Sequence, residues 1–274
     1  MIEDPTDSAR RPVVIVGSGW WSTDAPSWTV NPNRKALGDD LIRSVDFFET
    51  WLDSVTRAGQ PAKIIVVDSA SPRKPAQQKR AMVEWLELPF NAKHSTSHVG
   101  QWSGWMRSVL VSASYALNCD CDYFVYVEQD CLLEGRGLFD RMARETRTGL
   151  VFGSGEGTPQ PVQQSLFLVR KDRLSGFVTN LLAIRARDQD LAPEWKFVCA
   201  SWRPLVWMAN LGLLKHRKVR KAVQALAFGR RYEFLTFGTG RGRPIPFEEP
   251  AFYFQHATRE EVDRYLRKIA DERS

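Results

Sequence analysis

Residues Asp122 to Leu133 carry the feature that most constrains this chain, an uncharged strand that runs straight into two carboxylates. Tyr123 to Val127 is aromatic or β-branched at every position, the composition of a strand buried on both faces. Such a strand belongs in a sheet with helices on either side. Open sheets of that kind place their ligands at the carboxyl ends of the strands. At that end stand Glu128 and Asp130, separated by one residue. With a bend at Gln129, both face one hard cation such as Mg2+ or Mn2+, which takes oxygen ligands and often bridges phosphates. Two solvated carboxylates at a strand end are the plainer account of the same triplet.

Composition narrows the class. At 274 residues, with 43% apolar and 26% charged side chains, the chain suits one elaborated globular domain. No apolar run approaches the roughly 18 residues that span a bilayer, and the polar stretch Met1 to Pro12 reads as a disordered lead-in rather than a signal peptide. The cysteines, Cys119, Cys121, Cys131 and Cys199, form no Cys-x-x-Cys pair. Reduced thiols in a cytoplasmic protein are the simplest reading, with Cys131 structural. The net charge of +6 is local: Lys215 to Arg231 holds seven Lys/Arg and no acid, leaving the remainder at −1. That distribution does not match a nucleic-acid binder, whose basicity spreads over a face with interleaved aromatics.

Val13 to Val16 reads as a first strand stopped by Gly17-Ser-Gly19, and Lys63 to Val67 as a second ending in Asp68. Leu41, Val45, Phe48, Leu52 and Val55 recur at helical steps, closed by Gly59-Gln-Pro61. A polar helix is expected over Ala76 to Leu86, and another over Ser103 to Leu117. The alternation predicts an α/β fold with a mostly parallel central sheet flanked by helices. Later come strands at Gly149–Phe152 and Ser165–Val169 around the loop Gly153 to Gly157. A helix is expected near Leu174–Arg185, followed by an irregular helical part and a last helix over Arg259–Ala270.

In this order the motifs resemble a nucleotide-sugar glycosyltransferase of the GT-A fold. The resemblance rests on Glu128-Gln-Asp130 after its strand, where the family has Asp-x-Asp, and on Ile64 to Asp68. It rests also on Gly100 followed by the Arg107-bearing helix, and on the late His256. It covers roughly residues 13 to 170 in order and the rest through isolated motifs. Two departures stand out: Glu replaces the first Asp, and Gly17-Ser-Gly-Trp-Trp21 is not the usual opening of the large inverting bacterial group. The resemblance implies a single GT-A-like domain over 13–274, with a nucleotide-binding half to 133 and an acceptor-binding half after it. It also implies a nucleoside-diphosphate sugar donor, a saccharide or glycolipid acceptor, and an Mn2+ or Mg2+ cofactor.

Roles follow from that implication, each beside a structural alternative. Glu128, Asp130 and His256 are the expected metal ligands, although Thr258-Arg-Glu-Glu261 also looks like a capping box that makes His256 an ordinary residue before a helix. Asp68 accepts from base or ribose, or else bonds its own turn beside Ser69 and Ser71. Gly17 lets backbone approach the nucleotide, with Trp20 and Trp21 as stacking walls or core. Glu194, after Pro193 at a helix start, is the expected base for the acceptor hydroxyl; acids also favour helix starts through the macrodipole. Glu156 and Glu233 are reserves. Arg241 and Arg243 grip a diphosphate or form a solvated turn. The Lys215–Arg231 stretch, with Val219, Val223 and Leu226 on one face, suits peripheral docking on anionic lipid.

Two rival classes remain open on the sequence. A metal-dependent nucleotidyltransferase uses a similar sheet but normally a basic Gly-rich loop after the first strand, and Gly17 to Asp24 has no Lys or Arg. A non-catalytic carbohydrate-binding domain suits the ten tryptophans. The Gly-Ser-Gly turn does not meet the dinucleotide fingerprint of a dehydrogenase.

Overall fold

The first apolar run becomes β1 (Val14–Trp20), parallel both to β2 (Lys63–Asp68) and to β4 (Tyr123–Val127). The computed structural model describes residues 11–24, 37–76 and 80–272, so the lead-in expected over 1–12 lies outside them except for its last two residues. β3 (Val83–Glu87) continues the parallel run beyond β2. On the other side the direction reverses. β7 (Val162–Arg170) is antiparallel to β4, β6 (Leu150–Ser154) is antiparallel to β7, and the short β8 (Glu233–Phe234) runs parallel to β6. The order across the sheet is β3-β2-β1-β4-β7-β6-β8. A second, antiparallel sheet pairs β5 (Cys131–Glu134) with β9 (Phe252–Gln255).

Strand periodicity divides the core in two. Val14, Val16 and Trp20 of β1, Ile64 and Val66 of β2, and Val125 and Val127 of β4 face one layer. That layer is completed by α1 (Phe47–Ala58), α3 (Leu138–Glu145), the small sheet and α8 (Arg259–Asp271). Ile15, Ile65, Val67, Phe124 and Tyr126 face the other, built from α2 (Gly104–Leu117), α4 (Lys171–Ala183), α5 (Pro193–Ala200), α6 (Arg203–Asn210) and α7 (Arg217–Ala227). Each such aliphatic side chain contributes about 1.5–3 kcal/mol on leaving water, and a charge at any of them would forfeit it.

α2 lies close against β1 because β1 has glycines where it crosses. A Cβ at Gly17 would sit 2.4 Å from Ser112 Oγ and 2.7 Å from the Phe124 ring, and one at Gly19 would sit 2.4 Å from Ser108 Oγ. Ser108 and Ser112 themselves are small enough to meet the strand. Their hydroxyls are satisfied by Tyr126 OH at 2.6 Å and by the Ser108 carbonyl at 2.6 Å. Gly17 therefore serves the packing of α2 on β1.

Three element expectations are corrected. Residues 83–87, within the helix expected over Ala76–Leu86, form β3 instead. The segment has helix-favouring composition, but pairing with β2 overrides it: Trp85 turns to Trp20 and Phe48 while Leu86 turns to the opposite layer, a period of two. The helix expected from Leu41 is a 3-10 turn over Asp40–Arg43, then a break at extended Ser44, whose hydroxyl bonds back to the Leu41 carbonyl at 2.7 Å, and only then α1. In the basic segment, α7 buries Val223 and half-buries Val219, but Leu226 is exposed. None of the described helices is long and apolar enough to cross a membrane.

Candidate active site

The carboxyl ends of β1, β2 and β4 all emerge on one edge, because the three strands are parallel. There they open into a cleft of about 450 Å³. Trp21 follows β1, Ser69 follows β2, and Glu128, Gln129 and Asp130 follow β4, all lining it. The turn after β4 is fixed at its backbone: Glu128 N donates to Ser165 O at 2.8 Å, and Trp51 Nε1 and Cys131 N donate to Glu128 O. The chain thereby leaves the main sheet and enters the small one at Cys131.

That exit places Asp130 and His256 together. Cys131 pairs with Gln255 in the antiparallel register, so the residue before one and the residue after the other are neighbours across the ladder. His256 Nε2 lies 3.4 Å from Asp130 Oδ2. Asp130 Oδ1 is buried and has no hydrogen-bond partner, an orphan that a cation would satisfy. Among the described residues, no three His, Cys, Asp or Glu side chains converge as a metal cluster. A hard cation here would need oxygens from a bound phosphate or water to complete its shell, as Mg2+ commonly does.

Gln129 has a use that the triplet did not suggest. Its amide pairs with the backbone of Trp21 in both directions, accepting from Trp21 N at 2.7 Å and donating to Trp21 O at 3.0 Å. The middle residue of the triplet thus fixes the backbone of Trp21, which lines the cleft. Trp20 also borders the cleft but is buried in the core, packed against Phe48 and Trp51.

On the far wall, Pro193 stands at the first turn of α5 and lines the cleft, with Glu194 buried just behind it. Burial raises the Glu194 pKa, while the nearby Arg241 guanidinium pulls it down. Arg241 lines the cleft, and its Nε is buried without a hydrogen-bond partner. Arg243 does not line it: its guanidinium pairs with Glu261 at 2.5 Å and donates to the Gln255 carbonyl at 3.0 Å. Glu261 also closes the capping box of α8 with Thr258. Arg243 is thus a tie between the 240–244 loop and α8.

Asp68 is wholly buried beside the cleft. It accepts from Ser71 N at 3.1 Å and from the Ser71 hydroxyl, and burial raises its pKa against those bonds. Its neighbours Val67 and Ser69 line the cleft. Gly100 and Arg107 lie outside the lining. Gly100 has φ +81°, and Arg107 donates to the Trp102 carbonyl at 3.1 Å and covers the Phe90 ring. Of the reserves, Glu156 is exposed, and Glu233 is occupied by Thr146, Arg147 and Thr148 at the sheet's far edge.

The sequence reading missed the wall formed by Asn91, Lys93, His94 and Ser95, together with Arg43, Trp105 and Gln164. Lys93 has φ +64° and His256 φ +57°, and Ala70, between Ser69 and Ser71, has φ +54°. Non-glycine residues in that conformation cost of order 1–3 kcal/mol and cluster at binding sites. No signal in the residue pattern announces them. Lys93 is held there from both sides, its N–H donating to Asn91 Oδ1 and its carbonyl accepting from Gly104 N.

The edge of a parallel sheet bearing acids, in a cleft that basic side chains also line, defines an α/β protein with a candidate site at its strand ends. No family model and no curated protein matches the chain. Solved structures similar to it include residues 1–349 of S. aureus TarS in complex with UDP, at 12% identity and a TM-score of 0.45, covering 95% of this chain and 65% of that one. A glycosyltransferase involved in the glycosylation of the major capsid of PBCV-1 is 10% identical at a TM-score of 0.42, covering 94% and 100%. A 4-diphosphocytidyl-2C-methyl-D-erythritol synthase from Anaerococcus prevotii DSM 20548 is 11% identical at 0.40, covering 74% and 96%. The chain thus spans 65% of the TarS fragment.

Proposed function

We propose that the chain transfers a sugar from a nucleoside-diphosphate sugar to a saccharide or lipid-linked acceptor, assisted by Mn2+ or Mg2+. The observation that carries this reading is the Asp130–His256 pair at the end of β4, with a buried, unpartnered Asp130 oxygen beside a cleft that Asp130, His256, Lys93, Arg43 and Arg241 line. Asp130 and His256, with Glu128 beside them, would hold the cation. When bound, that ion offsets the charge of the leaving diphosphate. Lys93 and Arg241 supply fixed positive charge to the phosphates, and Trp21, its backbone held by Gln129, lines the same cleft. Glu194 takes the proton from the acceptor hydroxyl. Its raised pKa makes it a better proton acceptor than an ordinary exposed carboxylate.

Calorimetry tests the donor half. UDP, the ligand of the TarS fragment, is the first nucleotide to try, followed by the other nucleoside diphosphates. Binding is expected to need Mn2+, and Asp130→Ala is expected to weaken it about tenfold or more, with a smaller loss for Glu128→Ala. Nucleotide affinity independent of Mn2+ and unchanged in Asp130→Ala would remove the reading. Sugar transfer without pyrophosphate release separates it from a nucleotidyltransferase.

A further inference from the structure

We propose that the end of α4, the exposed stripe of α6 and the basic turn after it form a docking face for an anionic lipid bilayer. α6 buries Leu205, Val206 and Ala209, and on its other side Arg203, Trp207 and Leu211 follow at steps of four, which stack on one helical face. Trp207 is 66% exposed, Leu211 54% and Leu182 at the end of α4 49%. Asn210 binds the two elements into one surface: its amide donates to the Ala183 carbonyl at 2.9 Å and accepts from Arg185 N at 2.8 Å.

The charge around this patch has one sign. From Trp195 to Tyr232 there is no Asp or Glu, while Lys and Arg occur nine times, and Lys196 alone of these is buried, against Asp188. Arg185, Arg203, Lys215, Arg217 and Lys218 are exposed beside the apolar tip in sequence or through Asn210. An indole and leucines set among unopposed cations match the bilayer interface, where Trp sits at headgroup depth and Lys and Arg meet lipid phosphates. α7 contributes mainly charge: Val223 and Ala227 are spent on the core, and Leu226 is its one exposed large apolar side chain. The insertion therefore comes from α6, not from the basic helix that the sequence singled out.

The inference stands apart from the transfer reading, because vesicle binding and nucleotide binding are measured separately. The test is co-sedimentation with vesicles of phosphatidylcholine containing about a quarter phosphatidylglycerol, and with phosphatidylcholine alone. The wild type is expected to sediment with the first and not the second. Trp207→Ala/Leu211→Ala should weaken sedimentation about tenfold, Trp207→Phe should retain most of it, and Leu266→Ala, an exposed leucine on α8, should leave it unchanged. Lys215→Glu/Lys218→Glu should abolish it. All variants should keep the wild-type circular dichroism spectrum, since each alters an exposed side chain. No sedimentation of the wild type, equal binding to both vesicles, or full binding by Trp207→Ala/Leu211→Ala would overturn the proposal. A change in oligomeric state in that variant without any vesicle binding by the wild type would assign the face to a second copy instead.

Discussion

Glu194 shows how a single side chain ties stability to chemistry. Burial raises its folded-state pKa above the unfolded value, so its contribution to stability is present below the ordinary carboxylate range and is lost as pH rises through the folded pKa. Glu194→Gln should therefore match the wild type in melting temperature at acid pH and exceed it at neutral pH, a difference that thermal denaturation at several pH values checks. The same substitution should lower turnover by about 10²–10⁴-fold while leaving nucleotide affinity intact, because a base acts in the transition state. The wild-type rate should rise with pH through a pKa above 4.5. Retained turnover with the same gain in stability would show a buried acid with no chemical part. The place of Glu194 in the first turn of a helix was legible because Pro193 marks that start. Gln129 was not, because nothing in a Glu-x-Asp triplet tells which backbone its middle side chain will meet. That partner, Trp21, is set by the register of β1 against β4.

Among the elements, β1 and α2 make the most local demand on sequence. Gly17→Ala should cost about 1–3 kcal/mol in urea unfolding, the range for forcing extra atoms into a packed interior. Ser112→Ala, by removing the hydroxyl 2.4 Å from the added Cβ, should return part of it, which a double-mutant cycle measures. The strands β1, β2 and β4 were legible because their apolar runs are uninterrupted and end in turn residues. β3 was not, since Gln, Lys, Arg and Ala lead into it and only its partner β2 makes it a strand. The 3-10 turn and break before α1 were also illegible: the apolar spacing of Leu41 and Val45 continues through them, and one serine hydroxyl interrupts the helix.

At the scale of the whole molecule, one buried ion pair joins the two walls of the cleft. Asp188 accepts from Lys196 Nζ at 2.6 Å and from Ser103 N at 2.7 Å, linking α5 to the cap of α2. Lys196→Met should cost about 3–5 kcal/mol, since it leaves a buried carboxylate without its cation; chemical denaturation reads this directly. The small sheet has a consequence of a different kind. Asp130 and His256 stand more than a hundred residues apart in the chain, and only the β5–β9 pairing brings them together. Contacts of such long separation carry a large loop-closure cost and tend to form late. The Asp130–His256 pair is thus expected to form late in folding. A chain clipped ahead of Phe252 retains the residues of all seven strands of the large sheet yet lacks β9 and His256, and with them the pair on which the proposed metal–nucleotide binding depends. Pairing of β9 with β5 and assembly of the proposed site become one event.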